Sequence, residues 1–160
     1  MSFFEKTIFT GFSPNLRKKE LNIALNFLIN PLKWITIIKG DEEKKVKEYL
    51  ETKFKNHKVT LFDSGRTSLN IALQALGATK DDEILVQAYT CMVVSNAINF
   101  TGAKPVYVDI KNDFNMDPDD LRKKITPRSK VIIIQHTFGK PADLDKIIKI
   151  AKENNLKIIE

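Results

Sequence analysis

The chain has 160 residues, 26 Lys and Arg against 20 Asp and Glu, a net charge of +6, and 42% hydrophobic residues. That is a globular composition, long enough to bury a sizeable core without disulfides or a structural metal. A single Cys excludes an internal disulfide framework, and two His remote from it give no zinc-ligand spacing, so no metal site and a reducing, cytoplasmic location are expected.

The start of the chain has no apolar core followed by a cleavage site, and residues 23–38 are interrupted by Asn26, Asn30, Pro31 and Lys33. Neither a secretory signal nor a membrane span is expected from such a pattern. The basic clusters around Arg17, Lys44 and Arg122 also carry acids or follow helical spacing, and no aromatic residues are interleaved with them. They read as solvated helix faces, so no nucleic-acid partner is expected.

Taken in chain order, Ser13 and Pro14 can cap a helix running to about Asn30. Leu16, Leu21, Ala24, Leu25 and Leu28 share one face of it, which Ile23, Phe27 and Ile29 widen. Pro31 should stop that helix, residues 34–38 should be extended or irregular, and Gly40 and Asp41 should introduce a second helix with Val46, Tyr49, Leu50 and Phe54 facing inward. We read residues 1–40 as an apolar arm, serving either as a layer on the sheet or as a surface for a second subunit, and residues 41–160 as an α/β unit.

From Lys58 onward, short β-branched runs at 59–62, 83–86, 105–109, 130–135 and 156–159 predict strands. Helical spacing between them places Leu69, Ala72, Leu73 and Leu76 on one helix, Val93, Val94, Ala97 and Ile98 on a second, Leu121 and Ile125 on a third, and Leu144, Ile147, Ile148 and Ala151 on a fourth. Asp117 and Pro118 form a helix-start signal, while Gly77 and Gly102 fall where helices should stop. Strand starts recur about every 25 residues, as in βαβ units, and the near-continuous apolar runs imply a mostly parallel sheet covered by helices on both faces.

Ligands of such sheets bind beyond the carboxyl ends of the strands. Ser64, Gly65, Arg66, Thr67 and Ser68 follow the first run and open a helix. A glycine turn with free helical N–H groups can hold phosphate, although the same residues can simply cap the helix. After the second run, Tyr89 can be core or cofactor wall, and a lone Cys91 reads by default as a small buried hydrophobe. His136, after the fourth run, can donate to a ligand or tie its loop together.

Jointly, and in order, several segments resemble the DegT/DnrJ/EryC1/StrS family of PLP-dependent sugar aminotransferases. They are Ser64 to Leu69, residues 84–98 with Ala88, Tyr89 and Thr90, the run from Gly102 to Asp109, residues 115–118, residues 125–128, and 136–145 with Gly139, Pro141, Ala142 and Asp143. The resemblance implies a fold-type I PLP-transferase large domain, a phosphate held by Gly65, Arg66 and Thr67, Cys91 against the cofactor ring, and His136 near the site.

It implies a homodimer acting on small molecules, an amino-acid donor (glutamate) and a keto-sugar, usually nucleotide-linked. The ring-nitrogen Asp is expected directly after Glu160 and the Schiff-base Lys further on, so we read the 160 residues as the N-terminal part of a longer enzyme and expect them to be inactive alone. Two departures stand out: Cys91 replaces a usual aromatic, and Gln87 a frequent Pro. A non-catalytic, regulatory member of the family and a free-standing nucleotide-binding domain are the alternatives.

Overall fold

The computed structural model describes residues 17–39, 41–55 and 57–160. The chain separates into two compact units, Met1–Leu61 and Phe62–Glu160. In the first, α1 (Lys18–Ile29), α2 (Leu32–Lys39) and α3 (Asp41–Lys53) follow one another. Glu20 accepts the Arg17 N–H at 3.0 Å and so satisfies one of the free donors at the start of α1. The expected caps Ser13 and Pro14, together with Leu16 and Gly40, lie outside the described residues.

Two expectations fail in this unit. Residues 34–38 belong to α2 rather than to an extended segment. Pro31 ends one helix but suits the first turn of the next, Asn30 Oδ1 accepts the Leu32 N–H at 3.2 Å, and the Trp34 indole N–H donates to the Phe27 carbonyl at 2.7 Å across the bend. The apolar stripe of α3 does not face a core either: Val46, Tyr49 and Phe54 are exposed, as are Leu21, Ile23, Leu25, Leu28 and Ile29 of α1.

The second unit runs α4 (Gly65–Ala75), β1 (Glu83–Gln87), α5 (Met92–Asn99), β2 (Lys104–Val108), α6 (Pro118–Lys124), β3 (Ser129–Ile133), a 3-10 turn at Thr137–Gly139, α7 (Leu144–Glu153) and β4 (Lys157–Ile159). The strands form one sheet in the order β2-β1-β3-β4, every pair parallel. The two-residue alternation of the strands splits the core into two layers. Leu85 and Ile132 pack with Leu121 of α6 and Ile147 and Ile150 of α7, whereas Ile84, Val86, Val131 and Ile133 pack with Leu73 of α4 and Ile98 of α5.

The local signals hold where they can be checked. Asp117 Oδ1 accepts the Asp119 N–H at 2.9 Å with Pro118 beside it, and Gly77 and Gly102 take positive φ at 76° and 85° just past their helices. The run 59–62 is the exception, because it forms no strand. Alternation describes a conformation, but a strand also needs a neighbour to share its ladder, and the sheet edges here are β2 and β4. Among the described residues no helix is long and apolar enough to cross a membrane, and no cluster of metal-ligating side chains occurs.

Candidate functional site

A cavity of about 440 Å³ opens beyond the carboxyl ends of β1 and β3, lined by Gln87, Tyr89, Thr90, Cys91, Gln135, His136 and Thr137. This is where the ends of parallel strands leave room for a ligand, with helix N-termini close by. Cys91 is the N-cap of α5 and is exposed, so it is not the buried hydrophobe that a lone cysteine suggests by default. Tyr89 is half exposed and packs against Phe114 and Phe138, with ring centroids 5.4 and 6.2 Å away. Phe114 and Phe138 both sit in the left-handed region, φ 64° and 55°, a conformation bulky residues keep only when their surroundings impose it.

His136 is held at both nitrogens. Its Nδ1 lies 3.0 Å from the Ala142 N–H and accepts from it, so the remaining proton sits on Nε2 and points at Glu160 Oε1, 2.8 Å away. Of the two readings left open for this residue, the geometry displays the loop-tying one, and it does so on the wall of the cavity. Beneath it Asn115, fully buried, accepts the Thr137 N–H and donates to the carbonyls of Lys140 and Pro141, which fixes the loop after β3.

Gly65, Arg66 and Thr67 form the first turn of α4 and do not line this cavity. Ser64 Oγ accepts the Thr67 N–H at 3.2 Å and lies 2.9 Å from Thr67 Oγ1, while the Ser64 carbonyl takes the Ser68 N–H. The N–H groups of Gly65 and Arg66 are then the ones the helix cannot satisfy itself. A Cβ on Gly65 would meet nothing within 4 Å, so the turn borders open space. Asn70 ties the middle of α4 to α5 by donating to the Ala97 carbonyl at 3.0 Å. Both helices cover one face of the sheet, α4 leading into the start of β1 and α5 leaving its end, so their N-termini lie toward the same end of the strands.

Sequence reasoning picked out Cys91 and His136 but passed over Thr90, Gln135 and Thr137, and noticed Gln87 only as a departure. The available signal was a polar residue closing an otherwise apolar central strand. Gln87 is 1% exposed, yet its Oε1 has no hydrogen-bond partner among the described residues. The same holds for Thr90 Oγ1 and Gln135 Oε1. Buried polar atoms are normally paired, so three unpaired oxygens on one cavity wall mark a place shaped for a polar ligand.

A parallel sheet with helices on both faces and a polar cavity at its strand ends defines a ligand-binding α/β protein. The sequence profile of the DegT/DnrJ/EryC1/StrS aminotransferase family matches residues 19–160, and the chain belongs to that family. It is 36% identical to the GDP-perosamine synthase of Escherichia coli O157:H7 over 154 residues, 93% of this chain and 40% of that protein. It is 33% identical to the 3-oxo-glucose-6-phosphate:glutamate aminotransferase of Bacillus subtilis (strain 168) over 142 residues, 88% of this chain and 32% of the relative. Among solved structures, that of ntda from Bacillus subtilis with bound cofactor PMP superposes with a TM-score of 0.80 at 30% identity, over 91% of this chain and 34% of the other. The chain thus spans about two fifths or less of the length of these relatives. The α/β architecture is the fold-type I arrangement of PLP-dependent aminotransferases that the resemblance implied.

The residues present fit such a cofactor. The unpaired oxygens on the cavity residues suit a polar ring edge, and the N–H groups of the α4 turn, unsatisfied by the helix and beside open space, suit a phosphate.

Proposed function

We propose that this chain forms the cofactor-binding part of a PLP-dependent aminotransferase that moves an amino group from an amino acid, glutamate, to a keto-sugar, usually nucleotide-linked. The reading is carried by a cavity at the strand ends whose wall holds three unpaired buried oxygens, in a chain whose family consists of aminotransferases. The names of the relatives, a GDP-perosamine synthase and a glutamate-dependent aminotransferase of an oxo-glucose phosphate, support the sugar and the donor.

Gly65 and Arg66 offer backbone N–H groups to the phosphate, Thr67 adds its hydroxyl, and the exposed Arg66 side chain adds a positive charge. Cys91 and Tyr89, both on the cavity lining, stand against the ring. When bound, the cofactor supplies a ring that accepts electrons and carries the amino group between substrates. His136 holds Glu160 through Nε2 and so fixes the end of β4 beside the cavity. The exposed apolar residues of α1, Leu21, Ile23, Leu25 and Leu28, provide the surface for a homodimer.

The test, on the whole enzyme of which this chain is proposed to be a part, is a titration with pyridoxal phosphate and with pyridoxamine phosphate followed by fluorescence, alongside 2-oxoglutarate release from glutamate with a keto-sugar nucleotide. Arg66→Ala is expected to weaken cofactor binding by about tenfold, the scale of one charge-assisted contact. A protein that takes up neither form of the cofactor sinks the reading.

A further inference from the structure

We propose that Gln87 selects the ligand of this cavity, accepting a hydrogen bond at Oε1 from a ligand N–H or O–H group. The inference rests on the cofactor-binding reading above and adds to it the polarity of the group that the cavity takes.

Gln87 closes the central strand β1 and is almost wholly buried. Its Nε2 lies 2.8 Å from the Tyr89 carbonyl, 2.8 Å from Thr137 Oγ1 and 3.2 Å from the Phe114 carbonyl, so one amide nitrogen gathers the loops after β1, β2 and β3. The Thr137 hydroxyl donates its own proton to the Phe114 carbonyl at 2.9 Å, which leaves it an acceptor toward Gln87. The orientation of the amide is thereby set, because turning it over would press Oε1 against two carbonyl oxygens. Oε1 is left without a partner among the described residues, on a residue that lines the cavity, and the same is true of Thr90 Oγ1 and Gln135 Oε1.

Among the described residues no Lys or Arg lines this cavity. Two amide oxygens, which only accept, beside one hydroxyl and no cation among the described residues favour an amine or hydroxyl and disfavour phosphate or carboxylate. The anionic end of a ligand therefore belongs elsewhere, and its donor-bearing end belongs at Gln87. An oxygen held by three loops cannot swing away to suit an acceptor, so the preference is built into the backbone.

Two sources of donors, the cofactor's amine and the sugar's hydroxyls, are separated by two probe pairs. The first compares pyridoxamine phosphate with 4-deoxypyridoxine phosphate, which lacks only the amine. The second compares GDP-mannose with GDP. Dissociation constants are measured by calorimetry for the wild type, Gln87→Met, which loses both ends of the amide, and Thr137→Val, which removes one anchor of the amide nitrogen but keeps the Gln87 oxygen.

Gln87→Met is expected to cut the preference within one pair by about tenfold, with Thr137→Val preserving it. Loss in the first pair assigns the donor to the cofactor, and loss in the second assigns it to the sugar. A role confined to tethering the loops would lower both members of each pair equally in both variants, and that result overturns the proposal, as does no change. If the wild type binds neither pyridoxine phosphate, the cofactor reading fails while the sugar pair still decides on Gln87, and silence in that pair as well overturns it.

Discussion

The side-chain oxygen of Asn115 accepts the backbone N–H of Thr137 at 2.9 Å, joining the loop after β2 to the loop after β3 beneath the cavity. The Nδ2 of the same residue donates to the carbonyls of Lys140 and Pro141. Replacing Asn115 with Leu leaves one N–H and two carbonyls to find other partners, and a loss of about 3 kcal/mol in urea unfolding is expected. Asn115→Asp keeps the acceptor but turns a carboxylate toward two carbonyls, so it should be no better tolerated at neutral pH. A loss under about 1 kcal/mol for either change would show that water replaces the side chain.

Glu83 anchors the opposite end of β1. Its buried carboxylate accepts from Thr126 Oγ1 at 2.6 Å and pairs with Arg128. The Thr126 hydrogen bond above all, and after it the charges of Arg128 and Lys104, outweigh the upward push of burial and hold the carboxyl below the ordinary glutamate value of 4.5. A lowered native pKa means stability that is complete above the unfolded value and is lost as pH falls through the native one. The wild type should therefore exceed Glu83→Gln by about 2 kcal/mol at pH 7, with the gap closing below pH 4.5. Urea midpoints across that range check it, and a gap that persists in acid contradicts the assignment.

Gly65 separates binding from stability. An added Cβ there meets nothing within 4 Å, and the residue is helical, so Gly65→Ala should leave unfolding unchanged or raise its midpoint slightly. The methyl group would occupy the space a phosphate needs, so affinity for pyridoxamine phosphate should fall by about tenfold or more. Equal affinities in the two proteins would move the phosphate away from this turn.

Cys91, the single cysteine of the sequence, is exposed on the wall of the cavity. One thiol should react readily with a chromogenic disulfide in the native protein, and saturating pyridoxamine phosphate should slow the reaction several-fold by covering the sulfur. An unchanged rate with cofactor bound would take Cys91 off the ring. Cys91→Ser, close in size, should fold as the wild type does.

Much of the second unit was legible because its signals are local. The strands of β1 to β4 and the helices of α4 to α7 announce themselves by period, and Asp117, Gly77 and Gly102 mark helix ends by their own chemistry. What escaped notice depends on partners far along the chain. The run 59–62 has the right alternation but no neighbouring strand, and a proline read as a stop at Pro31 turned out to suit the start of α2. The site divides in the same way. Cys91 and His136 could be singled out by residue type at a strand end, whereas Gln87 and Asn115 matter through contacts with Phe114, Thr137 and Lys140 that no pattern of neighbours encodes.

The place of β1 between β2 and β3 has a consequence for how the protein is made. As the ribosome releases the chain, β1 can pair with β2 early, but its other flank stays bare until Ile133 has emerged, and the amide of Gln87 lacks one of its anchors until Thr137 follows. Such non-local pairing is slow, and an unpaired edge in the meantime invites contact with other nascent chains. Synthesis slowed just before β3 would prolong that exposure, so chaperone dependence and yield should track the rate of elongation through that stretch.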